Sequence, residues 1–271
     1  MEVLITHNIK KEVLTITEVL SSTFSYKRRT DLLLICKDEG ISLILDNYQH
    51  YFDGMLVWDG SRFMIHLNTG RGNNIGNKRG RFTIAHELGH YFINSHREGI
   101  KSGNIPMHAS SNSLAHSDKI ESEADYFAAN LLMPTEKLRA LTARRKFSLE
   151  IIKEVSEEFD VSITSALLRF ANVGTHSIMV VFSEGNVVKW SVRSDDFPKL
   201  VNKFKISGPL PPTSVAGESF LKSNAQYTGI EQVDLEDWFV YKGWEPLGRL
   251  YEQCFYSDLY NYVISLLWFD K

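Results

Sequence analysis

His86, Glu87 and His90 stand in the order H-E-x-x-H within RFTIAHELGHYF, residues 81–92. On an α-helix, residues four apart lie one above the other, so His86 and His90 offer two imidazole nitrogens to a single cation, and zinc is the ion such a site favours. Glu87 projects to the side. From there its carboxylate does not replace a ligand but reaches a water beside the metal, where a hydrolase needs its general base. The expected chemistry is metal-assisted hydrolysis. The competing reading, an amphipathic helix carrying two solvated histidines, leaves the glutamate between them without a reason.

The motif needs a helix with a buried back, and the flanks supply one. Phe82, Ala85, Leu88 and Phe92 recur at three- and four-residue spacing beside the histidine face. The polar GNNIGNKRG before them offers caps, which places the helix at about 76–95. Gly89, at about 1 kcal/mol disadvantage to alanine inside a helix, points to close approach of another backbone or of substrate.

Two histidines leave a catalytic zinc one protein ligand short, and a carboxylate from a second helix is the usual third. Residues 118–134, DKIESEADYFAANLLMP, read as that helix, with an apolar stripe of Ile120, Ala124, Phe127, Ala128, Leu131 and Leu132 ending at Pro134. Glu121 and Asp125 are four apart and share a face, so the first is the expected metal ligand. Asp125 then accepts the outer N–H of a ligating histidine, or is simply an exposed acid. Asp118-x-x-Glu121 is also a capping box, in which Glu121 would only satisfy a backbone donor. In that case Glu123, which projects elsewhere, becomes the candidate for third ligand.

HELGH, followed about thirty residues later by Glu121, Glu123, Ala124, Asp125, Phe127, Ala128 and Leu131-Leu132-Met133-Pro134, resembles the ImmA/IrrE family of bacterial zinc metallo-endopeptidases. The resemblance covers about residues 40–172. It implies a zincin-like domain in which His86, His90 and Glu121 hold Zn2+ and Glu87 is the catalytic acid/base. It further implies a protein substrate, a helix-turn-helix repressor, whose cleavage releases phage, mobile-element or stress-response genes.

Around the two motifs the chain reads in order. Residues 8–36 are expected as helix closing at Gly40, with Lys27, Arg28 and Arg29 as a solvated helix end. Between 41 and 68 the period becomes alternating, with turns at Asp53-Gly54 and Asp59-Gly60, which predicts a small antiparallel sheet with His66 on its solvated face. About twenty residues from Gly99 lack periodicity; His108 and His116 there are exposed loop residues or contacts carried by a lid. With Tyr91 and Tyr126 they are the candidates for stabilising an oxyanion.

Three more helices follow, and the last two, at about 148–172 with Ser148 and Ser162 as caps, have the look of a helix-turn-helix. Only Arg169 would serve there as a base or phosphate reader, so a packing unit is expected and direct DNA binding is not. From Ser177 the chain turns β-rich, beginning with a hairpin around Glu184-Gly185-Asn186. Three aromatic-rich runs follow, with Trp238, Trp244 and Trp268 expected in a core. The fold class is therefore α+β: residues 1–174 form a zincin-like metallopeptidase domain of small sheet and helix bundle, and residues 175–271 a C-terminal α+β domain of unassigned role.

With 43% hydrophobic and 23% charged residues and a formal net charge of -3, the chain reads as an ordinary globular protein without global attraction to nucleic acid. The terminal YNYVISLLWF is too short to span a membrane and MEVLITHNIKKEVL lacks a signal-peptide pattern, so a cytoplasmic protein is expected. Cys36 and Cys254, the two cysteines, suit neither a metal knuckle nor a disulfide scaffold and are expected as inert buried thiols. The function that these readings favour is a zinc-dependent endopeptidase. The alternative is a non-catalytic regulator that binds a repressor or DNA through 148–172 around a structural zinc.

Overall fold

The computed structural model describes residues 5–105, 110, 118–219, 228–240, 248–257 and 261–270. They divide into two compact units, one comprising residues 1–141 and 153–166 and the other residues 142–152 and 167–271.

The first unit begins with α1 (His7–Thr23), which buries Val13, Thr17, Leu20 and Ser21 on one face. The expected run of helix to residue 36 is interrupted. Ser21, Ser22 and Ser25 turn their hydroxyls onto carbonyls of the helix end, at Glu18, Val19 and Ser21, the competition by which serine favours helix ends over interiors. A small hairpin follows, β1 (Ser25–Tyr26) against β2 (Arg29–Thr30), with Lys27 at φ 55° in its turn. The basic cluster thus sits on a hairpin rather than a helix end, and Arg28 and Arg29 pair with Glu158 at 2.9 Å and Asp160 at 3.5 Å. α2 (Leu32–Asp38) starts at Asp31, whose side chain accepts from the Leu34 N–H, and stops where Gly40 takes φ 66°.

A three-stranded sheet comes next, β3 (Ser42–Asp46), β4 (Gly54–Trp58) and β5 (Phe63–Asn68), in the order β3-β5-β4. The hairpin β4–β5 is antiparallel as expected, but β3 runs parallel to β5, with Leu43 opposite Ile65. The sheet is mixed, not antiparallel. Alternation identifies strands without their direction, and here the direction depends on the crossing at 47–53. The Asn68 side chain fixes that crossing by accepting from the Tyr48 N–H and donating to the Gln49 and Phe52 carbonyls. His66 lies on the more open face, 2.7 Å from the Tyr48 hydroxyl.

α3 (Lys78–Phe92) opens on Asn77, whose side chain accepts from the Gly80 N–H at 2.8 Å. It packs against both β4 and β5 and the later α5 (Lys119–Leu132), and is buried almost continuously from Gly80 to His90. The chain bends at Ile93 and continues as α4 (Asn94–Ser102), a helix absent from the sequence reading, ended by Gly103 at φ 74°. Gly89 has the role its position suggested. A Cβ there would stand 3.1 Å from the Ala124 backbone and from Phe127, so α3 and α5 approach backbone to backbone. The remaining helices are α6 (Thr135–Thr142), α7 (Leu149–Glu158) and α8 (Ile163–Val173); Ser162 accepts from the Ser165 N–H at the start of α8. Arg169, the residue a DNA contact would have used, is buried.

The second unit adds β6 (Ile178–Glu184), β7 (Val187–Arg193), β8 (Val201–Asn202), α9 (Val215–Ser219), β9 (Glu231–Val233), α10 (Leu235–Trp238), β10 (Phe239–Val240), β11 (Leu250–Ser257) and β12 (Tyr262–Phe269). Five of the strands form an antiparallel sheet in the order β7-β6-β12-β11-β9. The β6–β7 hairpin turns on Gly185 at φ 54° and Asn186 at φ 62°, the left-handed pair that a two-residue turn needs. The run EQVDLEDWFVY is not one strand, because Asp234 and Asp237 form a capping box that starts α10 inside it. Met179, Val181, Trp238, Phe239, Cys254 and Leu267 lie in the core of this unit. Trp268 is also buried, and Trp244 lies outside the described residues.

Glu252 is buried at the centre of this core and receives four donors: the backbone N–H groups of Val215 and Ala216 at 3.0 Å, the Trp238 indole at 2.8 Å and the Cys254 thiol at 3.3 Å. Both cysteines are buried and unpaired, and burial pushes the Cys36 thiol up to about 12. Among the described residues, no helix is long and apolar enough to cross a membrane.

Candidate metal centre

α3 and α5 bring three of the predicted residues to one point. The nearest ligand atoms of His86, His90 and Glu121 all lie within 4.8 Å of one another, and the three side chains are buried. The two Nε2 atoms face each other at 3.1 Å, and each stands 3.3 Å from a different oxygen of Glu121. The capping role open to Glu121 is not taken up. Asp118 alone caps α5, accepting from the Ile120 N–H at 3.0 Å, while the Glu121 carboxylate faces the histidines.

Asp125, one turn beyond Glu121, meets His86 Nδ1 at 2.8 Å. Glu123 turns away from the cluster, as its place on the helix suggested, and meets His96 Nε2 at 2.9 Å; His96 Nδ1 in turn lies 3.3 Å from His90 Nδ1. His96 was not among the candidates drawn from the sequence. Its separation of six from His90 matches no face of a continuous helix, and only the bend at Ile93 brings it back.

Glu87 lies on the side of α3 that faces β4. A Cβ on Gly54 would approach its Oε1 to 2.7 Å, so the strand passes directly over the carboxylate and has no room for a side chain there. Backbone bonds between Asp53, Gly54 and Ser110 pin the start of that strand, with Asp53 N donating to Ser110 O at 2.7 Å and Ser110 N to Gly54 O at 3.0 Å. Neither oxygen of Glu87 reaches full hydrogen-bond geometry with a partner among the described residues. Burial pushes its carboxyl up to about 7, against the pull of the His86 charge and the nearby Ser110 hydroxyl. For His86 burial acts downward and is outweighed by the bonds to Asp125 and Glu121, which raise it to about 10. Burial acts upward on Glu121 and is outweighed by the two histidines, which hold it below the ordinary carboxylate range.

Tyr91 donates its hydroxyl to Glu39 at 2.9 Å, a contact away from the cluster. Tyr126 lies on α5, half-buried. His108 and His116 lie outside the described residues.

Two imidazoles and a carboxylate are the protein donor set of a catalytic zinc. The arrangement fits a cation at that point. Both Glu121 oxygens are buried and, beyond the two imidazoles 3.3 Å away, have no hydrogen-bond partner among the described residues, a condition in which polar groups are rarely left in an interior. Through Nδ1 each histidine has a partner that leaves Nε2 to face inward.

No curated protein sequence matches the chain. A solved structure described as a Mycobacterium tuberculosis transcriptional regulator has a similar fold, with a TM-score of 0.59 over 95% of this chain and 76% of that one, at 12% sequence identity. Residues 37–171 match the family described as the IrrE N-terminal-like domain, a peptidase family. Through that domain, which contains both α3 and α5, the chain belongs to the ImmA/IrrE family.

Proposed function

We propose that the chain is a zinc-dependent endopeptidase. The observation that carries the reading is the buried convergence of His86, His90 and Glu121 beside a buried carboxylate, Glu87, that makes no hydrogen bond of full geometry among the described residues. Zinc held by those three residues would act as a Lewis acid toward a scissile carbonyl and lower the pKa of a water. Glu87 would accept a proton from the attacking water and return it to the leaving amine. Asp125 would hold the His86 ring in the tautomer that presents Nε2. The β4 backbone over Glu87 would restrict its carboxylate to one side of the site and exclude bulk water from it.

The substrate proposed is a protein, namely a helix-turn-helix repressor, and cleavage would release the genes it silences. This part rests on the family likeness; the structural neighbour, described as a transcriptional regulator, points the same way. The test is bound metal and cleavage of a co-encoded helix-turn-helix protein by the wild type and Glu87→Gln. Fragments are expected from the wild type alone, with zinc in both. Equal cleavage by the two, or a wild type without metal when purified free of chelator, sinks the mechanism. Loss of repressor activity with no new fragment on a gel would instead support a regulator that only sequesters its partner.

A further inference from the structure

The two histidines of the metal centre are held from behind by different devices. His86 meets a carboxylate directly, at Asp125. His90 meets another histidine, and that histidine meets Glu123. We propose that His96 and Glu123 are positioning residues that fix the ring orientation and tautomer of His90 through a carboxylate–imidazole–imidazole relay, and thereby set the affinity of the centre for zinc. This rests on the metal-centre reading above.

The donor and acceptor roles follow from one end of the chain. The Glu123 carboxylate accepts only, so His96 Nε2 donates to it across 2.9 Å. A neutral imidazole with its hydrogen on Nε2 has a lone pair on Nδ1, which then accepts from His90 Nδ1–H at 3.3 Å. His90 is left with its lone pair on Nε2, facing His86 Nε2 and Glu121. Reversing the hydrogen on either ring would place two N–H groups or two lone pairs opposite each other. The relay is also sheltered. His96 and Glu123 are both buried, and the outer Glu123 oxygen is answered by Lys119 Nζ at 3.6 Å. The Asp125 side chain is 34% exposed by comparison. The buried arm therefore has no water to substitute for a lost partner, whereas the exposed arm does.

The experiment is zinc competition between the full chain and a chromophoric chelator, with thermal unfolding of each protein measured without metal. His96→Leu, which fills the volume and removes both ring nitrogens, is expected to weaken zinc binding roughly 10–100-fold. His96→Gln, whose amide can accept from His90 and donate to Glu123, is expected to recover most of that loss. Equal affinity in the wild type and His96→Leu overturns the relay. So does a His96→Gln as weak as His96→Leu, because packing rather than hydrogen bonding would then be the requirement. Should His96→Leu fail to fold, Glu123→Met removes the acceptor while keeping its bulk and carries the same expectation; wild-type affinity there overturns the proposal. A wild type that binds no zinc would instead overturn the metal-centre reading, an outcome distinct from variants that all bind alike.

Discussion

Glu87 and Glu252 are both completely buried, one in each unit of the chain, and their surroundings are opposite. Glu252 receives two backbone N–H groups, an indole N–H and a thiol. Glu87 has none of full geometry among the described residues, and a strand backbone passes over it. A buried carboxylate surrounded by donors ties elements together; one such as Glu87, with only the Ser110 hydroxyl and the Leu56 backbone acting weakly on it, keeps its basicity and suits a place where a proton must be moved. Burial raises both carboxyls, so burial does not separate a structural from a functional acid. Donors do.

Five substitutions, one of them read through a pH titration, probe that contrast. Glu87→Gln should reduce cleavage by about 10²–10⁴-fold, the usual worth of a general acid/base, with zinc content unchanged. Its unfolding midpoint should stay level or rise, since an uncompensated buried charge disappears; a large drop would make Glu87 a second structural acid. Glu252→Ala should do the reverse. It leaves three N–H donors without an acceptor, at about 1–3 kcal/mol each, so denaturant unfolding should show a loss upward of about 3 kcal/mol while cleavage per folded molecule is kept.

Gly54→Ala tests the strand over Glu87. Its methyl would press on both the Thr83 side chain and that carboxylate, and a loss of about 10²-fold in cleavage is expected from an ångström-scale misplacement, without loss of zinc. Asp125→Ala should weaken zinc by about tenfold, the low end for an outer partner, because its carboxylate is partly in water. The smallest effect concerns pH. The folded pKa of Glu252 is raised by burial, so the native state holds its proton longer than the unfolded chain. Stability should therefore fall as pH rises from the ordinary carboxylate pKa to the raised folded one, and Glu252→Gln should flatten that slope in unfolding curves.

Much of the centre was legible because it is local. H-E-x-x-H places two of the three clustered side chains on one helix, and the stripe of α5 together with the four-residue step from Glu121 to Asp125 places two more side chains on another. The β6–β7 hairpin was equally readable, since its turn demands residues that tolerate positive φ. What escaped depends on the third dimension. α4 is a short polar helix, NSHREGIKS, without a repeating apolar face, and its use of His96 depends on a bend at Ile93. The parallel pairing of β3 with β5 arises from a crossing held by the Asn68 side chain. Glu123 was rightly directed away from the cluster, but its partner belongs to a helix the periodicity did not reveal.

The contact at Gly89 has one more consequence. Because α3 and α5 meet there backbone against backbone, the gap between His86 and His90 on one helix and Glu121 on the other is gauged at that point largely by main chain. Residue 89 then acts as a spacer of minimum thickness. A thicker spacer would part Glu121 from His86 and His90 together, and in the proposed zinc site that spacing would set the radius of the ion it could hold.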